Sequence, residues 1–72
     1  MIMVKIHSDY ITLGQLLKMT DWIQSGAEAK FAVKDLSILV NNEIEQRRGR
    51  KLYPGDTISI EGKKYVIQHE DK

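Results

Sequence analysis

In Arg47-Arg48-Gly49-Arg50-Lys51 four of the five residues are cationic, and the chain has no arginine elsewhere. A guanidinium is a planar fork that donates parallel hydrogen bonds to two oxygens of one phosphate, so arginines crowded together point to phosphate recognition. The run follows Asn41-Asn42, a pair suited to a tight hairpin, and precedes a Tyr53-Pro54-Gly55-Asp56 turn. A basic stretch held between two turns has a fixed direction, as tracking a sugar-phosphate backbone requires; a loose basic tail has none. Lys30 and Lys34, four apart on a predicted helix, and Lys18 at the margin would extend the footprint into one continuous face. Asn41 could bond a nucleic-acid backbone or only shape its own turn. The plain alternative is a solvated loop that keeps a sheet edge from aggregating.

Other chemistries lack their residues. His7 and His69 lie near opposite ends of a chain without cysteine, so neither a metal site nor a catalytic pair is expected. Ser8, Ser25, Ser37 and Ser59 have no nucleophile-elbow context, and no P-loop Lys-Ser/Thr follows Gly14 or Gly26. The sequence predicts a non-catalytic chain with no cofactor and no small-molecule substrate.

With 72 residues the chain is expected to form one domain over 1–72, near the lower limit of independent folding. A hydrophobic fraction of 42% and a charged fraction of 29% suit an ordinary soluble globule without a membrane segment. Met1 to Ile6 is too short and too alternating for a signal peptide, so the protein is expected to be cytoplasmic. A net charge of +1 means that any polyanion must be met by local charge.

The elements that would hold these residues follow from periodicity. Ile2, Val4 and Ile6 alternate as a strand with one buried face. Thr12-Leu13-Gly14-Gln15 has the form of a capping box, and Leu13, Leu16 and Leu17 stripe a first helix that frays near Met19 to Trp22. Ser25-Gly26-Ala27-Glu28 has the same form before Ala29, Ala32, Val33 and Leu36, the stripe of a second. Period two returns at Ile38 and Val40, then in a strand holding Ile44, then at Ile58 and Ile60. Glu61 to Lys64 should turn into a last strand through Tyr65, Val66 and Ile67, with a loose tail from Gln68 to Lys72. Trp22 and Tyr53 are expected in the core or at its edge.

Leu16-Leu17, Ser25, Ala29, Ala32-Val33, Val40-Asn41-Asn42, the basic run and Pro54-Gly55-Asp56-Thr57-Ile58 together resemble the S4 RNA-binding domain. The match covers about residues 12 to 60, and the terminal additions look like the small stand-alone bacterial proteins of the YaaA and YbcJ type. The resemblance implies an α+β fold: an S4-like αL motif of two short packed helices, then a small mainly antiparallel sheet with an N-terminal strand and a C-terminal hairpin. It also implies binding of structured RNA, ribosomal RNA or a ribosome-assembly intermediate, through Arg47, Arg48, Arg50 and Lys51, with Lys30, Lys34, Lys18 and Asn41. The chain departs from the family at Gly26, where a basic residue is usual, and at Leu36 and Asn42, where glycine is common.

Two alternatives accompany this reading. Phe31 falls opposite the apolar stripe of the second helix, where it could stack a base or be buried by the terminal strands. The basic face could also dock an acidic protein partner.

Overall fold

The computed structural model describes residues 1–70. Strand β1 (Ile2–Ile6) and a short β2 (Ile11–Thr12) precede helix α1 (Leu13–Met19). A single 3-10 turn (Gly26–Glu28) leads into α2 (Ala29–Asp35). Then come β3 (Ile38–Val40), β4 (Glu43–Ile44), β5 (Lys51–Leu52), β6 (Thr57–Ile60) and β7 (Lys63–His69). The main sheet has the order β1-β7-β6-β3-β4, while β2 and β5 form a separate antiparallel ribbon. This is an α+β fold of two helices and a mostly antiparallel sheet, as the resemblance implied.

The turns follow their residues. Asn41 and Asn42 both adopt positive φ, at 51° and 70°, which closes the β3–β4 hairpin; asparagine tolerates this region, so Asn42 can stand where glycine is common. Gly55 has φ 96° in the Tyr53–Asp56 turn, whose Asp56 amide donates to the Tyr53 carbonyl at 2.9 Å. Among the described residues the one parallel pair joins β1 to β7, with Ile2 opposite Tyr65 and Ile6 opposite His69.

Leu13, Leu16 and Leu17 of α1 and Ala29 and Val33 of α2 cover the inner face of the sheet, formed by Val4, Ile6, Ile38, Val40, Ile58, Ile60, Tyr65 and Ile67. Burying each large aliphatic side chain contributes about 1.5–3 kcal/mol, and this contact fixes α1 against the sheet. Trp22 packs at the edge, its Nε1 donating to the Tyr65 hydroxyl at 2.9 Å.

The structure corrects three local expectations, at Ser25, at Gln68 with His69, and at Tyr53, and accounts for the departure at Leu36. Thr12 and Gln15 make the first capping box, but Ser25 makes no side-chain cap; the Glu28 carboxylate instead accepts from the Gln24 amide at 2.9 Å. Leu36 ends α2 in an extended conformation, φ −87° and ψ 149°, so no left-handed glycine is needed there. Gln68 and His69 are strand residues paired with β1, and the Glu70 amide donates to Ile6; residues 71 and 72 of the expected tail lie outside the described residues. Tyr53 is exposed rather than packed at the core edge.

Candidate nucleic-acid interface

The basic run joins β4 to β5, and backbone hydrogen bonds decide where it lies. The first amides of an α-helix have no partner within the helix. In α1 those of Leu13 and Gly14 donate to the carbonyls of Arg50 and Arg48, each at 2.9 Å. Pairing of Thr12 with Lys51 continues this seam into the β2–β5 ribbon. The loop is therefore tied to the helix start at alternate residues. Gly14 permits the approach: a Cβ there would stand 3.3 Å from the Ala29 Cβ and 3.4 Å from the Arg48 carbonyl oxygen. Its sequence context showed only what Gly14 was not; in the fold it is the contact point of two helices and the loop.

A second anchor is Glu45, which sequence reasoning did not single out. Pairing with Leu39 turns Ile44 outward, so the next residue points in, and the Glu45 amide bonds the Ile38 carbonyl at 3.0 Å. Glu45 is only 5% exposed. A carboxylate in that position requires charged, hydrogen-bonding partners. Arg47 donates Nε to Oε2 at 2.8 Å, a terminal nitrogen to Oε1 at 3.1 Å and its backbone amide to Oε2 at 3.1 Å. Arg50 donates to Oε1 at 2.7 Å. The Arg47 side-chain bonds lead these effects, and together they outweigh burial and hold the Glu45 pKa at about 2, below its ordinary 4.5. Bonding to Glu45 pushes the Arg47 pKa up. The signal in the sequence was an acid just past an outward strand residue, two residues before an arginine.

Glu45 orients Arg47 and Arg50 without exhausting them. A guanidinium has more N–H donors than Glu45 takes, and the Arg47 side chain is 74% exposed. The remaining predicted residues fall into separate groups. Arg48 and Lys18 line one shallow groove with Gln15, Gly26 and Gly49. Beyond its two chain neighbours no heavy atom lies within 4 Å of where a Gly26 Cβ would be, so the position at which the S4 pattern has a basic residue opens onto that groove. Lys34 borders a different depression with Asp35, Glu45 and Gln46. Lys30 Nζ lies 5.2 Å from the Phe31 ring centroid, and Phe31 is 61% exposed, so the terminal strands do not bury it. Lys51 Nζ sits 4.9 Å from the Tyr10 ring.

The Asn41 side chain ties its own turn to the Tyr53–Asp56 turn and the start of β6. Its Oδ1 accepts from the Thr57 amide at 3.0 Å and its Nδ2 donates to Asp56 at 3.1 Å. These bonds show Asn41 at work in the turns, the second of the two roles open to it in the sequence, and leave its contact with nucleic acid as an expectation. The expected continuous face is thus a groove carrying Arg48 and Lys18, a clamped pair of arginines, and flanking lysines. Among the described residues no cluster of His, Cys, Asp and Glu could hold a metal ion, and no helix is long and apolar enough to cross a membrane.

Comparison with known proteins gives a concordant picture. A family model described as S4 domain matches residues 4–68. RlbA of Bacillus subtilis (strain 168), named as a probable ribosome maturation protein, is 52% identical over 59 residues, covering 82% of this chain and 83% of that protein. YbcJ of Escherichia coli (strain K12), provisionally named an RNA-binding protein, is 36% identical over 53 residues, covering 74% and 76% respectively.

Proposed function

Because this chain belongs to the S4 domain family, we propose that it binds structured RNA without catalysing a reaction on it and acts on ribosomal RNA or a ribosome-assembly intermediate. The names of its relatives in Bacillus subtilis and Escherichia coli support the two halves of this reading. The observation that carries it is the tie between the basic loop and the start of α1, which presents cations from a fixed backbone. Arg48 and Lys18 grip phosphates along the groove, Arg47 and Arg50 present the guanidinium edges that Glu45 leaves open, and Lys51, Lys30 and Lys34 widen the footprint. A-form RNA hides its base edges in a deep, narrow major groove, so such a surface reads shape, phosphates and 2′-hydroxyls more than sequence.

Counterion release supplies the test. If about four phosphates are neutralised, log K against log salt should fall with a slope of about −3 to −4 for a hairpin RNA. A salt-independent affinity would overturn the mechanism. Cross-linking in extract with and without RNase separates RNA from an acidic protein partner: RNase-resistant protein adducts alone would replace this reading with the other.

A further inference from the structure

We infer that Tyr10, Lys51 and Tyr53 form a stacking subsite for one unpaired base of the bound RNA, an inference that rests on the RNA-binding reading above. The β2–β5 register pairs Ile11 with Leu52 and Thr12 with Lys51, which sets Tyr10 opposite Tyr53. Ile11 and Leu52 point into the core, so alternation sends Tyr10, Lys51 and Tyr53 to the outer face of the ribbon. The two rings meet with centroids 5.6 Å apart at 47°, and Lys51 Nζ lies over Tyr10.

Packing in the core does not account for these rings. Tyr65 is buried and bonded to Trp22, whereas Tyr10 and Tyr53 are 38% and 47% exposed. Their backbones are nonetheless fixed, since Ser8 Oγ donates to the Tyr10 carbonyl at 2.7 Å and the Tyr53 amide donates to Asp56 at 2.8 Å. Beside Tyr10 a shallow depression lined by Ser8, Asp9, Thr12 and Gln15 offers polar groups to the edge of a base. Lys51 continues directly from Arg48, Gly49 and Arg50, so a strand whose phosphates follow the loop would bring its next nucleotide to these rings. Charge therefore selects the occupant: a cation beside paired aromatic faces fits a nucleobase with its phosphate. Phe31 is also exposed, but it presents one ring with no second aromatic wall.

The test uses the full chain and two hairpin RNAs identical but for one unpaired 3′ 2-aminopurine. The overhang should tighten binding about 5- to 150-fold, the range that base–aromatic stacking supplies, and binding should quench its fluorescence. Tyr10→Ala and Tyr53→Ala should remove that gain while leaving blunt-hairpin affinity in place, and Tyr10→Phe should keep it. Raising the salt should weaken both hairpins and shrink their ratio only by the one phosphate that the added nucleotide brings to Lys51, because stacking itself releases no counterions. Equal wild-type affinity for the two hairpins, a comparison that needs no variant to fold, would overturn the subsite alone. Alanine variants that lose both hairpins equally would do the same. Failure of both hairpins to bind at all would overturn the RNA reading with it.

Discussion

Positive charge is built on two different plans in loop 45–51 and in helix α2. In the loop the Arg48 and Arg50 carbonyls are held by α1 amides, and the Arg47 and Arg50 side chains by the buried Glu45. On α2, Lys30 rests only against an exposed Phe31, and neither Lys30 nor Lys34 forms an ion pair among the described residues. Ordering a free lysine on binding costs about 1.5–2 kcal/mol of rotamer entropy, much of which offsets the phosphate contact it makes. Cations ordered in advance lose less. The loop should therefore contribute more affinity per charge than the helix.

The largest expected effect tests that difference directly. Replacing Arg47 and Arg48 with Ala removes two loop charges; replacing Lys30 and Lys34 with Ala removes two from α2. At about 0.15 M salt the arginine pair should cost about 30-fold in hairpin-RNA affinity and the lysine pair about 3- to 5-fold. Fluorescence anisotropy with one hairpin measures both. Equal losses would mean that charge number alone matters and that the fixed loop backbone at Arg48 and the Glu45 clamp on Arg47 add nothing.

A smaller effect comes from loosening the loop while adding net positive charge. Glu45→Gln removes one negative charge, so simple attraction to RNA predicts tighter binding. If the fixed arginines matter, affinity should instead fall about 5-fold and the melting temperature by about 5–10 °C. The pH dependence has a definite sign. The folded Glu45 pKa of about 2 lies below its ordinary 4.5, so this carboxylate binds its proton more weakly in the folded state. Its stabilising contribution is complete above about pH 4.5 and is lost as the pH falls towards 2. Melting curves of the wild type and Glu45→Gln should differ at pH 6 and converge near pH 2; a constant difference would show that the ion pair is not its source.

The same contrast explains what could be read in the sequence. Local signals were legible: the Thr12–Gln15 box, the Asn41-Asn42 turn and the Pro54-Gly55 turn depend on residues within a few positions of one another. The clustering of Arg47 to Lys51 was equally visible. The partners of that cluster were not, because Glu45 becomes buried only when β4 pairs with β3, and the arginine loop meets α1 across more than thirty residues of sequence. The Ser25 box failed for a related reason. Its pattern matched, but the Glu28 carboxylate accepts from the Gln24 amide, one residue before the position a capping box uses. Strand pairing between β1 and β7 likewise ordered Gln68 and His69, whose polar side chains alone suggested a tail.

Two glycines on the groove sharpen the comparison with the smallest effects. At Gly14 an added methyl stands 3.3 Å from the Ala29 Cβ and in ordinary contact, at 3.4 Å, with the Arg48 carbonyl oxygen, so Gly14→Ala must move α2 from α1 by a few tenths of an ångström beside the loop. That should cost about 1 kcal/mol, visible as a melting-temperature fall of about 4–8 °C, with about a 2-fold loss of RNA affinity. At Gly26 the same methyl meets nothing within 4 Å, and restricting the unfolded chain should make Gly26→Ala stabilising by about 0.4–1 kcal/mol. Gly26→Arg then adds an unordered cation to the groove that already has Arg48 and Lys18, and should tighten RNA binding by about 3-fold with a steeper salt slope. The predicted gain is small because this guanidinium would have no internal carboxylate to hold it; a gain as large as the loss in the arginine double variant would show that position on the groove, and not prior ordering, sets the strength of a contact.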